Sequence, residues 1–245
     1  MNVRSLIFIC CGAISLTATA QQKSPNLDTV LRQLNIASAN FKSAQANFRW
    51  DVYEKVVRET TSQCGVIYFE RHGEATEMGA KVAPSPTQSC SGEAAATTNG
   101  TRTLSYKDGA LQMFEPGVNH LTILHAGNNQ AMYESFLTLG FGGSGSDLDK
   151  AWNIAVQGTE VLKDGTREVT TTKLDLTAKD PAKQNMFSHI SIWVDPTQGV
   201  SLKQQFFAPS GDYRTTYFDH IRLNQKINES AFAIKTDKKT QVDHR

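Results

Sequence analysis

FSHISIWVDPTQGVSLKQQFF, residues 187–207, decides the fold. Two runs of alternating side chains, Phe187 to Val194 and Val200 to Phe207, flank Asp195-Pro196-Thr197-Gln198-Gly199, a cluster of turn formers. That pattern is an antiparallel hairpin, and its neighbours repeat it. Upstream, Ile154 to Leu162 meets Asp164-Gly165 and then Thr166 to Leu176; downstream, Ser210-Gly211-Asp212 leads into Tyr213 to Leu223. The last hundred residues therefore read as a meander of five strands.

The same period of two continues toward the N-terminus. Phe48, Trp50 and Val52 alternate with Arg49, Asp51 and Tyr53, and Gly65 to Arg71 places Ile67, Phe69 and Arg71 on one face. Further strands are predicted over Glu74 to Val82, Thr103 to Lys107, Ala110 to Phe114 and Asn119 to His125, with Asp108-Gly109 as a hairpin turn. Helical spacing occurs at Leu27, Val30, Leu31, Leu34, Ala37 and Phe41, and a second helix is expected over Asn129 to Leu139. The fold class is α+β: about ten antiparallel strands in one domain, residues 21–245, with two or three helices on one face. A sheet of this width is expected to curl.

The first twenty residues read as a signal peptide. Arg4 precedes the apolar stretch Leu6 to Leu16, and Ala18-Thr19-Ala20 supplies the small-residue site for cleavage before Gln21. The apolar run is too short to span a bilayer, which takes about 20 residues. Export to an oxidising compartment makes Cys64 and Cys90, the two cysteines remaining after cleavage, a candidate disulfide rather than a redox or zinc pair. Closing a loop of roughly 25 residues, such a bridge contributes about 3 kcal/mol. Residues 83–102, rich in Pro, Ser, Thr and Ala, have no period and read as a flexible insertion. Lys and Arg number 25 against 24 Asp and Glu, and removal of Arg4 leaves 24 against 24. That balance argues against nucleic acid or an anionic membrane surface as the partner.

Signatures of catalysis are sparse. Six histidines stand singly, and Gly140-Phe141-Gly142-Gly143-Ser144-Gly145-Ser146-Asp147 is neither a P-loop nor a nucleophile elbow. It reads as a turn capping Asp147 to Trp152, with a gate as its functional alternative. Asp180, Asp195 and Asp212 fall where turns use aspartate for local reasons, and Asp219 follows them. No cofactor or metal is called for. What stands out is apolar surplus on the face turned to the helices: Phe48, Trp50, Ile67, Phe69, Met78, Met113, Ile192, Leu202 and Phe206. These form either an ordinary core or a ligand cavity, and Arg71 shares their face. A guanidinium there is costly unless it is paired or sits at a mouth.

In its order of elements the mature chain resembles the LolA-like outer-membrane lipoprotein-sorting family, the periplasmic lipoprotein carriers of Gram-negative bacteria. The blocks that carry the resemblance are Gly65-Val66-Ile67-Tyr68-Phe69-Glu70-Arg71, Tyr106-Lys107-Asp108-Gly109, Phe114-x-Pro116, Leu139 to Ser144 with Asp147-Leu148, Thr172 to Leu176, Trp193-Val194-Asp195-Pro196 and Ser210 to Tyr213. The resemblance implies a curved, incomplete β-barrel with a helical lid that carries lipoprotein acyl chains between an inner-membrane ABC transporter and an outer-membrane receptor. It implies a non-enzymatic, monomeric, periplasmic protein, and it places the family's lid-governing arginine on Arg71. Where the carriers have Pro and an aromatic after that arginine, this chain has His72 and Ala75. Two other readings stay open: a lipid- or envelope-stress-sensing regulator of the same fold, and a secreted hydrolase using Asp212 or Asp195.

Overall fold

The computed structural model describes residues 25–73, 75–83, 100–127, 136 and 139–245. The expected signal peptide, most of the 83–102 insertion with Cys90, and most of the helix expected over 129–139 lie outside these residues.

The strands are β1 Ser43–Glu54, β2 Glu59–His72, β3 Ala75–Val82, β4 Arg102–Lys107, β5 Ala110–Glu115, β6 His120–His125, β7 Trp152–Asp164, β8 Arg167–Ala178, β9 His189–Asp195, β10 Val200–Phe207, β11 Tyr213–Leu223 and β12 Gln241–His244. They form one 12-stranded sheet in the order β12-β6-β5-β4-β3-β2-β1-β11-β10-β9-β8-β7. Neighbours are antiparallel except β12, which runs parallel to β6 and stacks His244 on His125 at 5.7 Å. Among the described residues the edge strands β7 and β12 do not pair, and the sheet is open. Its curl is visible at the β7–β8 turn. There Asp164 Oδ1 accepts from the Ile221 N–H at 2.9 Å, so the turn reaches over β9 and β10 to touch β11.

Strand lengths exceed the apolar pattern. β2 begins at Glu59 and not Gly65, because Thr60, Thr61 and Ser62 are polar yet pair with Tyr53, Val52 and Asp51 of β1. β12 has no alternation to announce it; it is held by the backbone ladder to β6. At the β1–β2 pairing Phe48 faces Gly65, where a Cβ would stand 1.9 Å from the Lys81 carbonyl oxygen and 2.9 Å from the Phe48 ring. Only glycine at position 65 leaves room for both the Lys81 backbone of β3 and the Phe48 ring.

Helix α1, Leu27–Asn40, starts where the Asn26 side chain accepts from the Asp28 N–H at 2.8 Å, and ends as Phe41 turns extended. Its buried stripe is Val30, Leu34 and Ser38. Val30 and Leu34 join Trp152, Leu174, Leu176, Ile190, Ile192 and Val194 in one cluster, so α1 covers the β7–β10 half of the concave face. Helix α2, Gly145–Ala151, is capped by Ser144, which accepts from the Asp147 N–H at 3.0 Å and donates to its carboxylate at 2.6 Å. It packs against α1 so closely that a Cβ on Gly145 would lie 2.2 Å from the Leu31 carbonyl oxygen. Helix α3, Pro181–Gln184, is a single turn between β8 and β9.

Candidate functional site

Six strands and two intervening segments build a cavity of about 370 Å³ on the concave face. Phe48 and Trp50 come from β1, Ile67 and Phe69 from β2, Met78, Ala80 and Val82 from β3, and Leu104 from β4. The opposite wall is Gln204 and Phe206 of β10 with Arg214, Thr216 and Phe218 of β11, and Phe136, Leu139, Phe141, Met186 and Phe187 cover it. Register explains the grouping: Phe48 opposes Phe218 and Trp50 opposes Thr216, so one β1 face continues across the sheet. Small side chains make the room. Ala80 stands between Met78 and Val82, and the next concave position of β1 after Phe48 toward the closed end is Ala46.

One end of the cavity is closed by aromatic packing. Phe69 stacks on Phe141 at 4.5 Å, and Phe141, which is fully buried, meets Phe218 edge-on at 4.9 Å. Just beyond, Arg71 ties three elements together. Its Nη1 donates to the Ser38 carbonyl of α1 at 2.7 Å, its Nη2 donates to the Gly142 carbonyl, and its guanidinium lies 5.3 Å from the Phe41 ring. Ser38 Oγ donates to the same Gly142 carbonyl at 2.6 Å. The acceptor on α1 lies at the helix C-terminus, where the Ser38 carbonyl also takes the Phe41 N–H at 3.1 Å and the helix dipole favours a cation. Gly142 has φ +77, and a Cβ there would sit 2.4 Å from the Phe41 ring, so the loop can reach Arg71 only as glycine. Gly140 and Leu139 anchor the other side of the loop: the Ser201 N–H donates to the Gly140 carbonyl at 2.7 Å, and the Gln204 amide donates to the Leu139 carbonyl.

Of the nine residues expected on an apolar wall, Phe48, Trp50, Ile67, Phe69, Met78 and Phe206 come together around the cavity. Three do not. Met113 opposes Leu104 in β5 and so shares the face, but lies one strand outside the wall. Ile192 is buried beneath α1, whose Val30 and Leu34 belong to the same cluster. Leu202 sits where the β9–β10 register shifts between Ser201 and Lys203, and is buried core beside Val200 and Phe218. Alternation assigns a face; it does not say what covers it. The wall also holds residues that the sequence reading did not place there, chiefly Ala80, Phe141, Met186, Arg214 and Thr216. For Thr216 and Phe218 the β11 alternation carried a signal, and Phe141 lay in the glycine-rich segment already singled out; for Met186, in a loop, there was none.

Cys64 is buried and disulfide-bonded; Cys90 lies outside the described residues. The aspartates proposed for hydrolysis serve their turns: Asp195 accepts from the Thr197 N–H at 2.9 Å, and Asp212 from the Lys55 N–H at 2.8 Å and the Ser210 hydroxyl at 2.7 Å. These bonds hold the Asp212 carboxyl below its ordinary value, the Lys55 N–H being the larger cause.

A curled sheet, open along one side and covered by helix and loop, is now complete. It is the half-barrel that the sequence resemblance implied. No family model and no curated protein matches the sequence. Among solved structures the fold is similar to an uncharacterized conserved protein from Thermus thermophilus, at 10% identity and TM-score 0.49 over 89% of this chain and 98% of that one. It is similar to MucB in the MucA/MucB complex of Pseudomonas aeruginosa, at 13% identity and TM-score 0.45, covering 86% of this chain and 62% of that one. A LolA superfamily protein from Nitrosomonas europaea has 11% identity and TM-score 0.39, covering 86% and 99%. With identities this low and every score below one half, nothing about activity passes from them to this chain.

Proposed function

We propose that this protein is a non-catalytic carrier, exported to the periplasm, that shelters the acyl chain of a lipoprotein or other lipid in the concave cavity and delivers it toward the outer membrane. The observation that carries the reading is the cavity itself: about 370 Å³ lined almost wholly by apolar side chains on the concave face of the sheet. Holding it open forfeits packing contacts in every lining residue, a cost that an apolar occupant recovers. If a methylene takes up about the share of a water molecule, ~30 Å³, the cavity admits about a dozen of them. At about 0.8 kcal/mol for each methylene fully buried, the gain is at most on the order of 10 kcal/mol, since the cavity opens to solvent on one side. A load held by several kcal/mol of apolar burial needs a release step, and the Arg71 junction between β2, α1 and the glycine loop is the place for one. An inner-membrane transporter and an outer-membrane receptor are the partners that the sequence resemblance implies for loading and unloading.

Native mass spectrometry of the protein from its own periplasm, before and after delipidation, tests this. A removable mass of lipid size supports the carrier. A protein that is empty and also takes up no fluorescent fatty acid overturns it; association with a membrane-anchored signalling protein in its place would then favour the regulator.

A further inference from the structure

The cavity has two unlike ends. Ala44, opposite Phe69, marks the closed end under Phe141; Val52, opposite Arg214, marks the other, and between them β1 advances roughly 26 Å. Arg214 is the one charged residue in the described lining, and it is exposed. Its guanidinium lies 5.7 Å from the Trp50 ring, and among the described residues no carboxylate pairs with it. Thr216, two residues on along the same face, adds a hydroxyl to the wall, while Gln204, the remaining polar lining residue, already donates to the Leu139 carbonyl.

Resting on the carrier reading, we infer that the ligand is an anionic amphiphile: its carboxylate or phosphate head is received by Arg214 at the Trp50 end, and its chain runs inward over Phe48 toward Phe69. A guanidinium with no carboxylate partner among the described residues, held at the rim of an apolar cavity, is a receptor for a planar or tetrahedral anion, since its forked N–H groups match those oxygens. A neutral head gains nothing there, and a cationic head is repelled. The Trp50 ring face, 5.7 Å from the guanidinium, favours its cation at the rim, and among the described residues no hydrogen bond occupies its N–H groups.

The test uses the delipidated full-length mature protein and four probes with one chain length: laurate, lauryl phosphate, monolauroylglycerol and dodecyltrimethylammonium, each titrated calorimetrically below its micelle concentration. Expected is binding of laurate or lauryl phosphate about tenfold tighter than of monolauroylglycerol, a gap that narrows with added salt. Whichever of the two anions binds tighter identifies the head as a carboxylate or a phosphate. In Arg214→Gln the gap closes while monolauroylglycerol affinity stays; in Arg214→Lys it largely persists. Equal affinity for all four probes, or an anion preference that survives Arg214→Gln, overturns this inference and leaves the carrier standing. Failure of every probe to bind overturns both.

Discussion

Replacing Arg71 by leucine removes both hydrogen bonds that join β2 to the Ser38 and Gly142 carbonyls, and keeps the apolar stem over Phe41. A hydrogen bond from a charged donor is worth about 1.5–3 kcal/mol, but both carbonyls gain water once the loop lifts, and Ser38 Oγ still bonds Gly142. A net loss of about 2–4 kcal/mol follows, confined to the α1–loop junction. At 1.4 kcal/mol per decade, local opening rises by about thirty- to a thousandfold. Native-state hydrogen exchange reads this at two amides, Phe41 N–H, bonded to the Ser38 carbonyl, and Ser201 N–H, bonded to the Gly140 carbonyl. Both are expected to exchange faster, while amides of the β8–β9 ladder hold their rates. The off-rate of a bound fluorescent fatty acid rises in parallel. Arg71→Lys restores part of the protection, because an ammonium reaches one carbonyl at a time where the guanidinium fork spans two. Unchanged exchange at Phe41 and Ser201 in a folded Arg71→Leu protein refutes the latch.

Ala80→Phe places a ring in the middle of the cavity wall; uptake of the fluorescent fatty acid is expected to vanish while circular dichroism keeps its sheet signature, at an overpacking cost of about 1–3 kcal/mol. Wild-type uptake by this variant would place the ligand elsewhere. The Asp212 carboxylate, favoured in its charged form by Lys55 N–H and Ser210, tethers the β1–β2 turn to the start of β11. Its folded value is depressed, so the tether is intact above the ordinary 3.8 and fades as pH falls through the lower folded value. The Lys55 amide resonance should therefore shift with a midpoint below 3.8, and a midpoint above it contradicts the hydrogen-bond account.

The sheet was readable because apolar side chains recur two apart along strands such as β1 and β2. Phe48 and Trp50, or Ile67 and Phe69, sit two apart, and turns such as Asp108-Gly109 and Asp164-Gly165 separate the runs. The cap of α2 was readable for the same local reason, since Ser144 and Asp147 stand three apart and bond each other. β12 and the polar start of β2 were not, because backbone pairing with a distant strand holds them and their own side chains carry no period. Arg71 could be singled out as a charge on an apolar face, but its acceptors, 33 and 71 residues away, could not.

The sequence alone determined which residues face inward, since that follows from a period of two written into neighbouring positions. Whether the inward residues meet to form a core or stand apart around a cavity depended on curvature, register shifts and what covers each strand. Ile192 went under α1 and Leu202 into a bulge, while Ala80 left a gap that Arg214 borders. Those outcomes arise from contacts between segments far apart in the chain, so only the tertiary structure decided them.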